Sequence, residues 1–293
     1  MGHGDVFTVG YDGSPGARRA LEWAAAEAAR RHGSVRVVAC VIAPVAAEPW
    51  YVPPAVIDIH QVQEDTLRHL QEAVVPFRAQ HPGVRFDLEA RLGPAPGELV
   101  DAAGEDGVLV VGSRGHERFD ALRLGSVAHA VARRARCPVV IVPDVDVAQL
   151  HGRVVVGVDG SADADEALRL ACREAELRDA ELLLVHAWDY PYATELGTSE
   201  ACDRAQVDGA LVLEEAVRRA RDLWAGPIKD KLVRGRAASA LLEEAGTADL
   251  LVVGSRGRGA VRSFLFGSVS TEVSDRAPCP VMVVRAEAAD ADR

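Results

Sequence analysis

Short apolar runs alternate with longer stretches whose apolar residues recur at helical spacing, and the chain makes the whole alternation twice. The first run, Asp5 to Val9, reads as a strand. Ser14 follows as a helix N-cap with Pro15 at the first helical position. From Ala17 to His32 the apolar positions mark a helix, with Gly33 placed to close it. Val35 to Ile42 is a nearly continuous β-branched run, as expected of a strand buried on both faces. A loop bearing Pro44, Trp50, Tyr51, Pro53 and Pro54 leads to a helix from about Asp58 to Gln80. Val84 to Leu92 reads as a third strand, Gly97 to Ala103 as a short helix and Val108 to Val111 as a fourth strand. Ser126 to Ala135 and Val139 to Val142 complete the set as a helix and a fifth strand. The order then returns, with strands near 153–158, 181–187, 229–234, 250–253 and 281–284. Such alternation predicts an α/β fold: two tandem doubly wound domains, each a five-stranded parallel sheet with helices on both faces.

The repetition extends to residues. Val9-Gly10-Tyr11-Asp12-Gly13-Ser14 matches Val156-Gly157-Val158-Asp159-Gly160-Ser161, and Cys137-Pro138-Val139 matches Cys279-Pro280-Val281. Gly112-Ser113-Arg114-Gly115, nine residues, then Gly125-Ser126 matches Gly254-Ser255-Arg256-Gly257, nine residues, then Gly267-Ser268. A period this long marks duplication of a whole domain. The 293 residues accordingly divide into domains 1–146 and 151–293, with the seam in Pro143 to Gly152.

Composition narrows the partners. A hydrophobic fraction of 48% and a charged fraction of 26% are those of an ordinary globular protein. The net charge of −11 disfavours nucleic acid. The N-terminus carries no basic segment followed by an apolar one, and no apolar run approaches the ~18–20 residues of a membrane span, so a cytoplasmic location is expected. Five cysteines, an odd number without CxxC spacing, read as reduced thiols. The histidines show no helical ligand spacing, so no metal site of protein ligands is expected.

The glycine repeats carry the candidate chemistry. Glycine after a buried strand gives the backbone freedom to turn its N–H groups toward a ligand. Gly-Ser at the next helix start adds free N–H donors and the positive end of a helix dipole. Together these make a phosphate cradle, here present twice. In an open parallel sheet, ligands sit at the carboxyl ends of the strands where the winding reverses. The loop after strand one would bring Asp12 there and the loop after strand four its donors, an arrangement suited to a nucleotide.

These residues together resemble the universal stress protein family. The resemblance rests on Gly-x-x-Gly-x9-Gly-Ser after Val-Gly-x-Asp-Gly-Ser and before Cys-Pro-Val, and it holds in both halves. It implies the strand order 3-2-1-4-5 and, for the glycine-motif branch, ATP binding. By that resemblance Asp12 and Asp159 lie at the nucleoside end, and Cys40 and Ala187 lie against adenine. Gly112, Ser113, Arg114 and Gly115, like Gly254, Ser255, Arg256 and Gly257, match the ribose- and phosphate-side loop. Gly125, Ser126, Gly267 and Ser268 match the phosphate-binding helix start. Adjoining positions Gly10, Val111 and Val127, and Gly157, Val253, Arg258, Gly259, Val269 and Ser270, complete the expected sites. A hydroxyl common in the family is kept at Ser270 and replaced at Ala128. His116-Glu117 stands where the second half has Arg258-Gly259, which makes the second site the better expected binder.

Blander roles compete for several residues. Asp12 and Asp159 also suit Asp-Gly turns, Ser14 and Ser161 suit N-caps, and Arg114 and Arg256 suit phosphate or solvent equally. Cys137, Cys279 and His186 read as core residues. The functional expectation is an ATP-binding regulatory protein of a stress response, with Mg2+ accompanying the phosphates and bridged by Asp12 or Asp159 through water. The alternative is a slow ATPase or phosphotransferase, for which neither cradle supplies the usual lysine. The apolar last strands, Val139 to Val142 and Val281 to Val284, would pair with each other, and the resemblance implies a further homodimer.

Overall fold

The structure, a computed structural model, describes residues 5–42, 58–115, 124–145, 150–189, 199–258 and 266–286. The expected Trp50 and Tyr51 loop, His116-Glu117 and Gly259 lie outside the described residues.

In the first half β1 (Val6–Gly10) leads to α1 (Pro15–Arg31), β2 (Ser34–Val41), α2 (Ile59–Gln80) and β3 (Arg85–Leu92). Then come α3 (Ala95–Ala103), β4 (Val108–Gly112), α4 (Ser126–Arg134) and β5 (Val139–Val142). The second half repeats this as β6 (Arg153–Gly157), α5 (Ala162–Arg178), β7 (Glu181–Trp188), α6 (Ser199–Leu223) and β8 (Ile228–Arg234). It ends with α7 (Ala237–Ala245), β9 (Leu250–Gly254), α8 (Ser268–Arg276) and β10 (Val281–Val284).

Strand order is β3-β2-β1-β4-β5 in the first half and β8-β7-β6-β9-β10 in the second. This is the doubly wound α/β fold that the alternation predicts. The pairings β1–β2, β1–β4 and β2–β3 are parallel. So are β6–β7, β6–β9, β7–β8 and β9–β10. Backbone contacts separate two compact units, the first holding the described residues up to Cys137 apart from Leu124, and the second holding Leu124 and the described residues from Pro138 onward. Strand β5 therefore belongs to the second unit, where Ile141 opposes Val281 and Val139 opposes Val283 in an antiparallel pair.

Each inner strand is a β-branched or leucine run because it is covered on both sides. Phe7, Val9, Val35, Val37, Leu109 and Val110 are fully buried in the first unit, as are Val154, Val155, Leu182, Leu184, Leu250 and Leu251 in the second. Each such side chain contributes about 1.5–3 kcal/mol on leaving water.

Ser14 and Ser161 are N-caps: their hydroxyls accept the N–H of Ala17 at 3.2 Å and of Ala164 at 3.3 Å. The other end of α1 differs from expectation. His32, at φ 54°, takes the left-handed cap position that the pattern assigned to Gly33, as Asp179 does at φ 49° after α5. Gly33 is needed for another reason, since a Cβ there would run into the Asp5 carbonyl.

Candidate functional site

At the carboxyl end of the second unit's sheet, the loop after β6 and the loop after β9 enclose a cavity of about 850 Å³. Their meeting is built on two side-chain bonds of Asp159. Oδ1 accepts the Ser161 N–H at 3.0 Å, forming the turn, and Oδ2 accepts the Arg258 N–H at 3.0 Å, joining the two loops. Asp12 makes the same turn in the first unit, accepting the Ser14 N–H at 2.9 Å. The turn role anticipated for both aspartates is thus present, and Asp159 also lines the cavity.

The motif glycines are where backbones approach too closely for a side chain. A Cβ on Gly254 would stand 2.9 Å from the Asp163 carbonyl carbon, and one on Gly112 would stand 2.5 Å from that of Gly16. Gly257 and Gly115 abut the Oδ2 atoms of Asp159 and Asp12. Gly267 and Gly125, the N-caps of α8 and α4, have φ −76° and −60°, so neither is chosen for a left-handed backbone. Their N–H groups donate 2.8 Å bonds to the Ser255 and Ser113 carbonyls and press each helix start against its glycine loop. Among the described residues no side chain caps either helix. The first-turn N–H groups at Ser268 and Val269, both on the cavity wall, therefore remain donors for a ligand.

Of the second-half positions singled out in the sequence, the cavity gathers Gly157, Asp159, Ala187, Val253, Gly254 and Arg256. It gathers Gly257, Arg258, Gly267, Ser268, Val269 and Ser270 as well. Ser255 is not on the wall. Its N–H donates to the Val284 carbonyl at 2.6 Å and its hydroxyl to Asp163 Oδ2 at 2.7 Å, so both of its donors point into the protein. The Ser270 hydroxyl lies 3.0 Å from the carbonyls of both Ser255 and Gly267 and stitches helix to loop. Ala128 cannot do this in the first unit.

Sequence reading missed other wall residues. Leu241 of α7 stands across from Gly157, where a Cβ would lie 3.1 Å from its Cδ1, and Leu99 of α3 covers Gly10 in the same way at 2.8 Å. The leucine recurs in both halves, and that recurrence was the available signal. Val158, Phe266, Glu272 and Asp275 also line the cavity. Glu272 is paired with Arg236 at 2.9 Å and Arg276 at 2.8 Å, while Asp275 accepts the Leu124 N–H at 2.8 Å. His186 is buried as expected, its Nδ1–H donating to the Val158 carbonyl at 2.6 Å beside the Asp159 turn.

In the first unit Gly10, Val111, Gly112, Ser113, Gly115, Gly125, Ser126 and Val127 occupy the equivalent strand ends, loop and helix start. Cys40 is on β2, its thiol pushed up to about 11 by burial and by the Glu98 carboxylate. Among the described residues no group of three His, Cys, Asp or Glu side chains could hold a metal ion. No described helix is long and apolar enough to cross a membrane.

The comparisons with known proteins fit this geometry. The universal stress protein family model matches residues 5–143 and again 151–285. The chain is 33% identical to universal stress protein Rv2623 of Mycobacterium tuberculosis over 94% of its own length and 95% of the relative's. It is 33% identical to Rv2005c of the same organism over 97% of each chain. A crystal structure of a universal stress protein from Archaeoglobus fulgidus superposes with a TM-score of 0.67, covering 97% of this chain and 99% of that one at 24% identity. With its motif pairs, its strand order and both halves matched, the chain belongs to the universal stress protein family.

Proposed function

We infer that each module, 1–146 and 151–293, binds ATP, and that the protein is a cytoplasmic regulator which reports nucleotide occupancy in a stress response. The carrying observation is the second-unit cavity. Uncapped N–H groups of α8 and the Gly254–Gly257 loop line it together with the apolar side chains of Val158, Ala187, Leu241 and Val253. Its volume of about 850 Å³ suits a nucleotide-sized ligand. Backbone donors and the helix dipole suit polyphosphate, and the apolar wall suits the flat face of a base. Arg256 and Arg258 add positive charge where the family motif places phosphate.

Mg2+ would arrive with the phosphates, its charge offset chiefly by their oxygens, with Asp159 the wall carboxylate able to receive a metal-bound water. No lysine stands in the Gly254–Gly257 loop to draw charge from a leaving phosphate, so the site suits retention of ATP over its cleavage. A homodimer completes the reading.

Denaturing the purified protein and weighing the released small molecules by mass spectrometry tests it. Intact ATP, near one or two per chain, is the expected result. ADP alone would indicate an ATPase, and no nucleotide before or after soaking in millimolar ATP would overturn the reading. Gly254→Val and Gly267→Val should each empty the second site.

A further inference from the structure

Asp163, in the first turn of α5, is a carboxylate only 5% exposed beside the cavity wall. Its Oδ2 accepts the Ser255 hydroxyl at 2.7 Å and Arg256 Nε at 3.3 Å, and its Oδ1 accepts the Ala286 N–H at 3.1 Å. Arg285 adds a second cation to its field. A buried carboxylate persists only where it is paired and hydrogen-bonded. Here those partners are the glycine loop and the chain leaving β10.

Arg256 is gripped by its inner nitrogen. Its side chain is 39% exposed and stands on the cavity wall, so the outer Nη1 and Nη2 end is the part of the guanidinium left to meet a ligand. That planar fork matches two phosphate oxygens at once. An arginine already held loses less rotamer freedom on binding than one waving in solvent. We propose that Asp163 is a positioning residue of the second site, holding Arg256 through Nε so that its fork recognises the polyphosphate of a nucleotide. The inference rests on the nucleotide reading above and adds to it how the phosphate-binding cation is aimed.

The first site cannot be built this way. Gly16 stands at the place of Asp163, and a Cβ there would collide with the Arg114 carbonyl. The two modules therefore differ in how strongly they tell ATP from adenosine, the second discriminating more. Repulsion between Asp163 and the phosphates opposes the effect, but Arg256 and Arg285 flank the one carboxylate with two cations.

The test is calorimetry of ATP and of adenosine on the full chain, with the first cradle closed by Gly125→Val. Asp163→Ala and Arg256→Ala should each weaken ATP by about tenfold, the loss of roughly one charge-assisted contact, and leave adenosine within about twofold. The double variant should bind ATP no more weakly than Arg256→Ala alone, because Asp163 acts through that arginine. Asp163→Asn keeps the shape and an acceptor oxygen, so it should fall between wild type and Asp163→Ala, and it carries the test if the alanine variant does not fold. Unchanged or tighter ATP binding in the Asp163 variants would overturn the proposal. So would parallel losses for ATP and adenosine, or losses that add in the double variant. A parent protein that binds neither ligand would instead overturn the nucleotide reading, and this inference with it.

Discussion

Oδ2 of Asp159 accepts the backbone N–H of Arg258 at 3.0 Å, and that bond, with a longer one of 3.4 Å from the Ser161 hydroxyl to the Arg256 carbonyl, fastens the loop after β6 to the loop after β9. Gly257 abuts the same oxygen so closely that no Cβ fits between them. Gly257→Ala should therefore push the carboxylate aside and open the cavity mouth. The expected outcome is at least a tenfold loss of nucleotide affinity at the second site with the melting temperature nearly unchanged, since Gly257 is an exposed loop residue. Titration calorimetry alongside thermal denaturation checks it; a full-affinity variant would mean that the two loops are not joined through Asp159.

Leu241 serves both packing and the cavity. It is 3% exposed, faces Gly157 and forms part of the apolar wall. Leu241→Ala should cost about 2–5 kcal/mol of stability, the usual range for truncating a buried leucine to alanine. Adenosine and ATP affinity should fall together, because the change strips apolar atoms from the wall and leaves the phosphate donors alone. Urea denaturation and binding measured on the same preparation separate the two effects.

Far from the cavity, Glu174 and Arg178 form a buried ion pair on α5, with side chains 2% and 5% exposed. Its counterpart on α1 is Glu27 with Arg31, 3.1 Å apart and equally buried. Removing one member of such a pair takes the opposite charge away from a buried ion, and breaking a buried pair in this way is strongly destabilising. Glu174→Ala should destabilise the second unit by about 3–5 kcal/mol. Replacing Glu174 and Arg178 together by leucine and methionine should restore most of the loss. If the single variant melts like the parent, the pair contributes nothing.

Much of this was legible in the chain before any coordinates. Apolar runs marked the inner strands to within a residue or two, because a parallel sheet covered on both faces demands them. Ser14 and Ser161 declared their helix starts. Other features were hidden for physical reasons. His32 takes a left-handed cap because Gly33 is required by a close approach to Asp5, a contact that local pattern cannot show. Ser255 belongs to the motif yet faces inward, because Asp163, distant in sequence, claims its hydroxyl. Leu241 reaches the cavity, and Asp163 the wall residue Arg256, only through tertiary packing. Neither carries a local signature.

The cysteines supply a pH dependence whose sign can be worked out. Burial holds the Cys137 thiol at about 11 and the Cys279 thiol at about 12, above the ordinary 9.0, because the interior disfavours a thiolate. In the unfolded chain both thiols would lose their protons near 9.0, while in the folded protein they keep them. Stability from these groups is therefore complete below pH 9 and is lost as the pH rises through about 11 and 12. Melting temperatures measured from pH 8 to pH 11 should fall, and Cys137→Ala with Cys279→Ala should flatten that fall relative to the parent. At pH 8 the same two thiols should resist alkylation until the protein unfolds, since the thiolate is the reacting species. Rapid modification of the folded protein at either position would show that these thiols are open to solvent, and the predicted alkaline instability would go with it.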